Sequence, residues 1–396
     1  MSMKNKEKER LDRILEGIEV ASKNEGVTPQ ELTPTQFFKH VANVTPWDIR
    51  VLGGLSGVKK AYFPVQTKDL ASIRKEKEIV KYIKKLEDKA SATLVLNNEV
   101  ESMIRDAISS LKITKTKVGE VKVQNGTKMT MELMLSDIHY GKKTSTFNLE
   151  VCRQRMTYLT EVFLKELKRK QKEGYNVERV IVALIGDLIE SYTMHGLESA
   201  AGCEFGNAQQ VQAAITSLYH DVLLPIAKTG IKIDVPAVTG NHDRTEHSRT
   251  MQEPGVNNLT WIIYKSLEEL CQISGFKNVK FQIPTGSYII LDIYNNTVLY
   301  EHGDNVKGTT KKSFETLIEN RSRQSGISID FGRFGHWHDY MCFDRGRIIV
   351  NESVCGLDSY ASVMGFNSKA GQTINFYVDT KNRPNCFYYS FPVDLT

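Results

Sequence analysis

Five short segments concentrate residues that bind divalent cations: Ser136-Asp137-Ile138-His139, Gly186-Asp187, Gly240-Asn241-His242-Asp243, Glu301-His302-Gly303-Asp304 and Gly335-His336-Trp337-His338. Asp, Asn and His offer oxygen and nitrogen donors suited to hard or borderline divalent ions. In Asp137-x-His139 and His336-x-His338 the donors alternate, and residues i and i+2 of an extended segment point the same way. Glycines at 186, 240, 303 and 335 relieve the backbone beside each donor. Five of the nine histidines fall in these segments. Each segment alone is weak evidence, since a lone His is more often a core or surface residue. All five in this order, each behind an apolar run, point to a metal site.

The elements that must carry these donors are legible too. The runs 131–135, 180–185, 233–238, 298–300 and 331–334 read as buried strands, and each leads into one donor segment. Further strands are expected at 288–293 and 348–350, with helices at 148–173 and 209–227. Asn125-Gly126 reads as a hairpin turn joining 121–123 to 129–135, and Asn295-Asn296 and Asp344-Arg345-Gly346 as two more. This mixture predicts one large α/β domain over 117–396. Strand ends of such a sheet are where ligands bind.

The N-terminal part differs. Residues 1–65 read as a small helical module. Leu11, Ile14, Leu15 and Ile18 lie at helical spacing, and Thr33-Pro34 and Thr45-Pro46 each read as an N-cap followed by proline. Phe37, Phe38 and Val41 supply an apolar face, and Gly53, Gly54 and Gly57 mark a turn before Val58-Lys59-Lys60. Short helices and tight turns suit a helix-turn-helix-like unit. Residues 66–116 read as a helical linker or short coiled coil, with Leu70, Ile73, Val80, Ile83 and Leu86 near heptad spacing. A homo-oligomer through 66–116 is one expectation from that pattern.

Charge and composition narrow the function. The net charge of +5 is uneven, with +7 in residues 1–130 and −2 in the remainder. A basic N-terminal third suits contact with a polyanion such as nucleic acid. Apolar runs fall far short of the ~20 residues a membrane helix needs, so no membrane role is expected. The charged start, MSMKNKEKER, does not read as a secretory signal. Six scattered cysteines without a CxxC predict free thiols and a cytoplasmic location.

The five blocks resemble the signature blocks of the calcineurin-like metallophosphoesterase superfamily, over about 130–360. The resemblance implies two packed β-sheets flanked by helices. It also implies two divalent ions, with Asp137, His139, Asp187 and His338 holding one and Asp187, Asn241, His302 and His336 the other. His242 would be the proton donor, oriented by Asp243. Two such ions clamp phosphate oxygens and turn a water into an attacking hydroxide, so no nucleophilic Ser or Cys is needed. Mn²⁺ is expected first, with Mg²⁺, Zn²⁺ and Fe also suited to such donors.

The expected reaction is phosphodiester hydrolysis, with DNA as the leading substrate; the alternative is a cyclic or dinucleotide substrate with an N-terminal assembly module. Gly186-Asp187-Leu188-Ile189-Glu190 departs from both main branches of the superfamily. It lacks the early Arg of protein phosphatases, and Glu190 stands where repair nucleases often carry His. His195 nearby could contact phosphate. Lys307, Lys311, Lys312, Arg321 and Arg323 would form a basic rim, and Lys59 and Lys60 are the N-terminal candidates for DNA contact. Residues 29–64 loosely resemble helix-turn-helix units of homing endonucleases and phage DNA enzymes. Asn351-Glu352-Ser353-Val354-Cys355-Gly356 with Asp358-Ser359-Tyr360-Ala361 resembles a segment after the last ligand block in phage-type members, expected to build the site floor or a structural turn, and Cys355 reads as a buried small residue. An ATPase partner, as some members have, is not read from these residues.

Overall fold

The computed structural model describes residues 3–51, 54–63, 116, 118–119, 125–192, 201–245, 253–356, 369–381 and 385–396. Of the linker or coiled coil expected at 66–116, residues 66–115 lie outside them, as do the strand 121–123, His195 and Asp358 to Ala361. The chain divides into two units, Met1–Glu99 and Val100–Thr396.

In the second unit, strand alternation sets the layers. In β1 (Lys128–Leu135), Met129, Met131, Leu133 and Leu135 enter one core while Met134 enters another. Successive side chains point to opposite faces, so each strand feeds two layers. β1 lies inside a six-stranded sheet with β2 (Asn176–Ile185), β3 (Lys232–Val238), β4 (Val279–Gln282), β10 (Gly371–Val378) and β11 (Phe387–Asp394), in the order β11-β10-β1-β2-β3-β4. From β1 to β4 all pairs are parallel, and β10 and β11 close the other side antiparallel. The second sheet has the order β5-β6-β7-β9-β8, from β5 (Tyr288–Ile293), β6 (Asn296–Glu301), β7 (Phe331–Phe334), β8 (Met341–Phe343) and β9 (Ile348–Val350).

Met134, Ile181, Ala183, Val238, Val298, Tyr300, Phe331 and Ile349 form the core between the sheets. Helices cover the outer faces. The first sheet packs on α5 (Leu149–Lys172), on α6 (Asn207–Ser217) with its continuation α7 (Leu224–Ala227), and on α8 (Leu259–Ile273). A π-helical turn, Leu218–Leu223, links α6 to α7 where one long helix was expected. The second sheet packs Val306, Ile329 and Phe334 on Phe314, Leu317 and Ile318 of α9 (Lys311–Ser325). The result is the expected α/β fold of two sheets flanked by helices.

The pairing of β1 differs from the sequence reading. Both edges of β1 are occupied, by β2 and β10, so the Asn125-Gly126 hairpin is not how β1 is paired. The turns near 295 and 344–346 do join antiparallel strands, β5 to β6 and β8 to β9.

The first unit has its own core of Ile14, Ile18, Leu32, Phe37, Val44, Ile49, Leu55 and Val58. Its helices are α1 (Met3–Glu25), α2 (Pro34–His40), α3 (Pro46–Val51) and α4 (Gly54–Tyr62). Thr33 caps α2 in a reciprocal box with Gln36. Thr45 and Asp48 make the same exchange at α3. Gly57 lies inside α4 rather than in a turn.

Candidate metal centre

Both sheets contribute to one site. β1 runs into Asp137 and His139, β2 into Asp187, and β3 into Asn241 and His242. From the other sheet, β6 runs into His302, and β7 into His336 and His338. Three groups form among the described residues, Asp137–His139–His338, Asp187–His302–His336 and His139–Glu190–His242, and in each the candidate ligand atoms lie within 4.8 Å of one another. His338 Nε2 is 3.3 Å from Asp137 Oδ1 and 3.1 Å from His139 Nε2. His302 Nε2 is 3.0 Å from Asp187 Oδ2 and 3.1 Å from Asn241 Oδ1. The structure thus brings all seven expected donors together.

The backbone is bent to achieve this. Asp137, His139, Asp187, His336 and His338 all have φ between 50° and 70°. That left-handed region is uncommon outside glycine, and such strain concentrates at functional sites. Two neighbouring glycines serve close approach. A Cβ on Gly240 would lie 2.1 Å from Asp187 Oδ1, and one on Gly335 would lie 2.4 Å from Asp137 Oδ2.

The surrounding hydrogen bonds aim the donors. His302 Nδ1 donates to the Ile185 carbonyl at 2.9 Å, which leaves Nε2 facing Asp187. His139 Nδ1 lies 2.8 Å from Glu190 Oε2. Asp137 accepts the His336 N–H at 3.0 Å. The carbonyl of Asp137 accepts from Val354 N and Ser353 Oγ, and Asn351 Nδ2 reaches the Met134 carbonyl and Ser136 Oγ. Residues 351–354 therefore bond to the segment that carries Asp137, and Cys355 is buried beside Ser353.

The electrostatics fit a divalent cation. His302 Nε2 lies about 3 Å from both Asp187 Oδ2 and Asn241 Oδ1, so three groups able to offer lone pairs converge there. Burial opposes, but the Asp187 carboxylate raises His302 well above its ordinary value. Burial alone would raise Asp187 too, yet the His302 and His242 imidazoles hold it well below the usual range. Burial pushes His139 and His336 down to about 4, so both present neutral rings with lone pairs. Oxygen and neutral imidazole donors in this number suit Mn²⁺, Zn²⁺ or Fe.

No family model matches the chain, and no curated protein does. Among solved structures, a novel archaeal phosphodiesterase is 14% identical, covering 67% of this chain and 99% of its own, with a TM-score of 0.32. An uncharacterised Streptococcus pneumoniae protein described as a phosphoesterase is 11% identical, covering 67% and 98%, with a TM-score of 0.27. Zinc-complexed Vps29 of Entamoeba histolytica is 13% identical, covering 67% and 99%, with a TM-score of 0.26. At these scores the likenesses decide nothing, and fold and site stand on their own geometry.

Several expected roles move. His242 was expected to be oriented by Asp243, but its Nδ1 donates to the Glu190 carbonyl at 2.7 Å. The fully buried Asp243 carboxylate instead accepts backbone N–H groups of Gly240, Asp187 and Leu188 at 2.7, 2.8 and 3.1 Å. It pins the two ligand loops together. Burial and the neighbouring Asp187 push it up to about 7, while those N–H groups pull it down.

Glu190 is the residue the sequence reading missed. It holds His139 with its carboxylate and His242 with its carbonyl, and Lys142 Nζ lies 3.4 Å from its carboxylate. Its place three residues after Asp187 was the available signal. Burial opposes, but His139 and Lys142 hold it far below the usual carboxylate range.

The proposed substrate cations separate. Lys59 turns inward, its Nζ bonded to the carbonyls of Gln30 and Leu32 at 2.7 and 2.8 Å, so it clasps the helical unit instead of facing a ligand. Lys60 is exposed. Lys307 and Lys312 are exposed, but Lys311 pairs with Asp344 and Arg321 with buried Glu301.

Proposed function

We propose that this protein is a dinuclear-metal-dependent phosphodiesterase of the calcineurin-like metallophosphoesterase superfamily, and that its substrate is nucleic acid, DNA first. The observation that carries the reading is the meeting of the two donor groups with His242 beside them. The His139 and His242 rings are 4.8 Å apart, and the His242 N–H donates to Asp187 Oδ1 at 2.8 Å.

Asp137, His139, Asp187 and His338 would hold one divalent ion and Asp187, Asn241, His302 and His336 the other. Ions there would supply Lewis acidity at phosphoryl oxygens and a nucleophile at neutral pH. The chain's own work is positioning and proton transfer. The Glu190 carbonyl holds a proton on His242 Nδ1, so in the imidazolium form the second proton, on Nε2, is the one that would pass to the leaving oxygen and leave a neutral ring. Asp243 keeps the Asp187 and Gly240 loops in register during turnover.

The polymer substrate is supported by the basic N-terminal third and by exposed Lys60, Lys307 and Lys312. The inward Lys59 and the paired Lys311 and Arg321 favour a second reading, a small-nucleotide diesterase whose helical unit serves assembly. The test is parallel cleavage of linear duplex DNA, single-stranded DNA and bis(p-nitrophenyl) phosphate, with Mn²⁺ or EDTA. DNA degradation that needs Mn²⁺ and disappears in Asp187→Asn supports the first reading. Turnover of the small diester with DNA left intact supports the second. Full activity of Asp187→Asn refutes the metal centre.

A further inference from the structure

Between the sheets lies a charged group that this reading leaves unused. Glu132 of β1 and Arg333 of β7 are both fully buried, 3.3 Å apart, and belong to different sheets. By strand alternation both side chains face the apolar layer of Met134, Ile181, Val298 and Phe331. A buried ion pair of this kind adds little net stability over apolar residues of the same volume, so stability alone does not explain it.

Its partners come from β6, which carries a donor, and from β10. The Glu132 carboxylate accepts from Tyr300 Oη of β6, from Tyr377 Oη at 2.9 Å and from Asn375 Nδ2 at 2.6 Å. Arg333 Nε also donates to Tyr377 Oη at 2.9 Å, and Nη1 donates to the carbonyls of Gly332 and Gly346. The guanidinium is flanked by the rings of Phe331, Tyr377 and Phe387. Glu132 precedes Asp137 by five residues, Tyr300 precedes His302 by two and Arg333 precedes His336 by three. At ~3.3 Å per residue the clasp lies roughly 7–16 Å beneath the donors, on the same three strands. Apolar packing between sheets tolerates sliding, whereas directed hydrogen bonds on a buried charge do not.

We propose that Glu132 and Arg333, with Tyr300, are positioning residues that fix the register between the sheets and so hold the His302–His336–His338 half of the donor set against the Asp137–His139–Asp187 half. This rests on the metal-centre reading.

The test is calorimetric titration of the full chain with Mn²⁺ alone, alongside thermal melting. The variants are Tyr300→Phe, which keeps ring and ion pair, and the double change Glu132→Leu with Arg333→Met, which replaces the pair by apolar volume. The double variant is expected to melt near the wild type yet bind Mn²⁺ about tenfold more weakly, the scale of outer-shell effects on metal sites. Tyr300→Phe is expected to fold and to weaken Mn²⁺ binding several-fold, and it decides the matter if the double variant does not fold. Wild-type Mn²⁺ affinity in either folded variant overturns the proposal. A wild-type chain that takes no Mn²⁺ overturns the metal centre itself, a distinct result.

Discussion

Replacing Gly240 with Ala adds one methyl group at the closest approach in the site. That Cβ would lie 2.1 Å from Asp187 Oδ1, 2.4 Å from Asp187 N and 2.8 Å from Asp187 Cγ. Ordinary contacts of these atoms begin at about 3.4 Å, so something must move by about 1 Å. Rotating the carboxylate is insufficient, because the backbone N of Asp187 is also in the way. Shifting the backbone strains the bonds that Asp243 makes to Gly240 N and Asp187 N at 2.7 and 2.8 Å. It also disturbs the His242 N–H bond to Asp187 at 2.8 Å. Overpacking costs ~1–3 kcal/mol and a weakened hydrogen bond to a charged group ~1.5–3 kcal/mol, so we expect a loss of roughly 3–5 kcal/mol. For a domain of this size that lowers Tm by about 5–10 °C. Asp187 faces His302 at 3.0 Å, so Mn²⁺ affinity should fall at least ~100-fold. Scanning calorimetry with and without Mn²⁺ reads both effects. Gly206→Ala is the control, since nothing lies within 4 Å of its added Cβ and its φ of −73° suits any residue. If Gly240→Ala melts within a degree of the wild type and keeps its Mn²⁺ affinity, the account of these two loops is wrong.

Three further outcomes are expected. Glu190→Gln keeps the carbonyl that holds His242 but removes the carboxylate beside His139 Nδ1, so Mn²⁺ titration should show ~10-fold weaker binding. Burial, then the Asp339 and Asp394 carboxylates, raise Glu352 to about 7. The native chain keeps that proton where the unfolded chain has released it, so stability falls as pH rises from about 4.5 to 7. Discounted for partial exposure, the effect is roughly 1–2 kcal/mol, and melts of Glu352→Gln should match the wild type at pH 4 and exceed it at pH 8. Lys59→Met should lower the stability of the helical unit by ~1–2 kcal/mol by removing two hydrogen bonds, and leave the salt slope of DNA binding unchanged, whereas Lys60→Glu should reduce that slope.

The donors were legible because cation chemistry restricts residue type and each donor follows a strong apolar run. Strands 288–293 and 331–334 have the observed bounds for the same reason. β10 and β11 were not read. The run Gly371-Gln372-Thr373-Ile374-Asn375 is mostly polar although every one of these positions is buried, and Gln372 and Asn375 bond within the interior. Polarity there imitates exposure. The Asn125-Gly126 hairpin failed because turn chemistry is local, while the partners of β1 are chosen by the whole sheet. Glu190 was noted only as a departure from known patterns, since its two roles exist only after β1, β2 and β3 have brought His139 and His242 beside it.

The pairing of β1 with β10 also dictates an order of assembly. Met129 is matched with Val378 and Met134 with Thr373, so the strand carrying the first donors waits for a segment far downstream of it. All the donors leave the ribosome before that segment does. Until then one edge of β1 lies open, with unpaired backbone groups that invite foreign strands, and Glu132 lacks Asn375 and Tyr377. A nascent chain therefore carries every candidate donor before it has the framework that holds them.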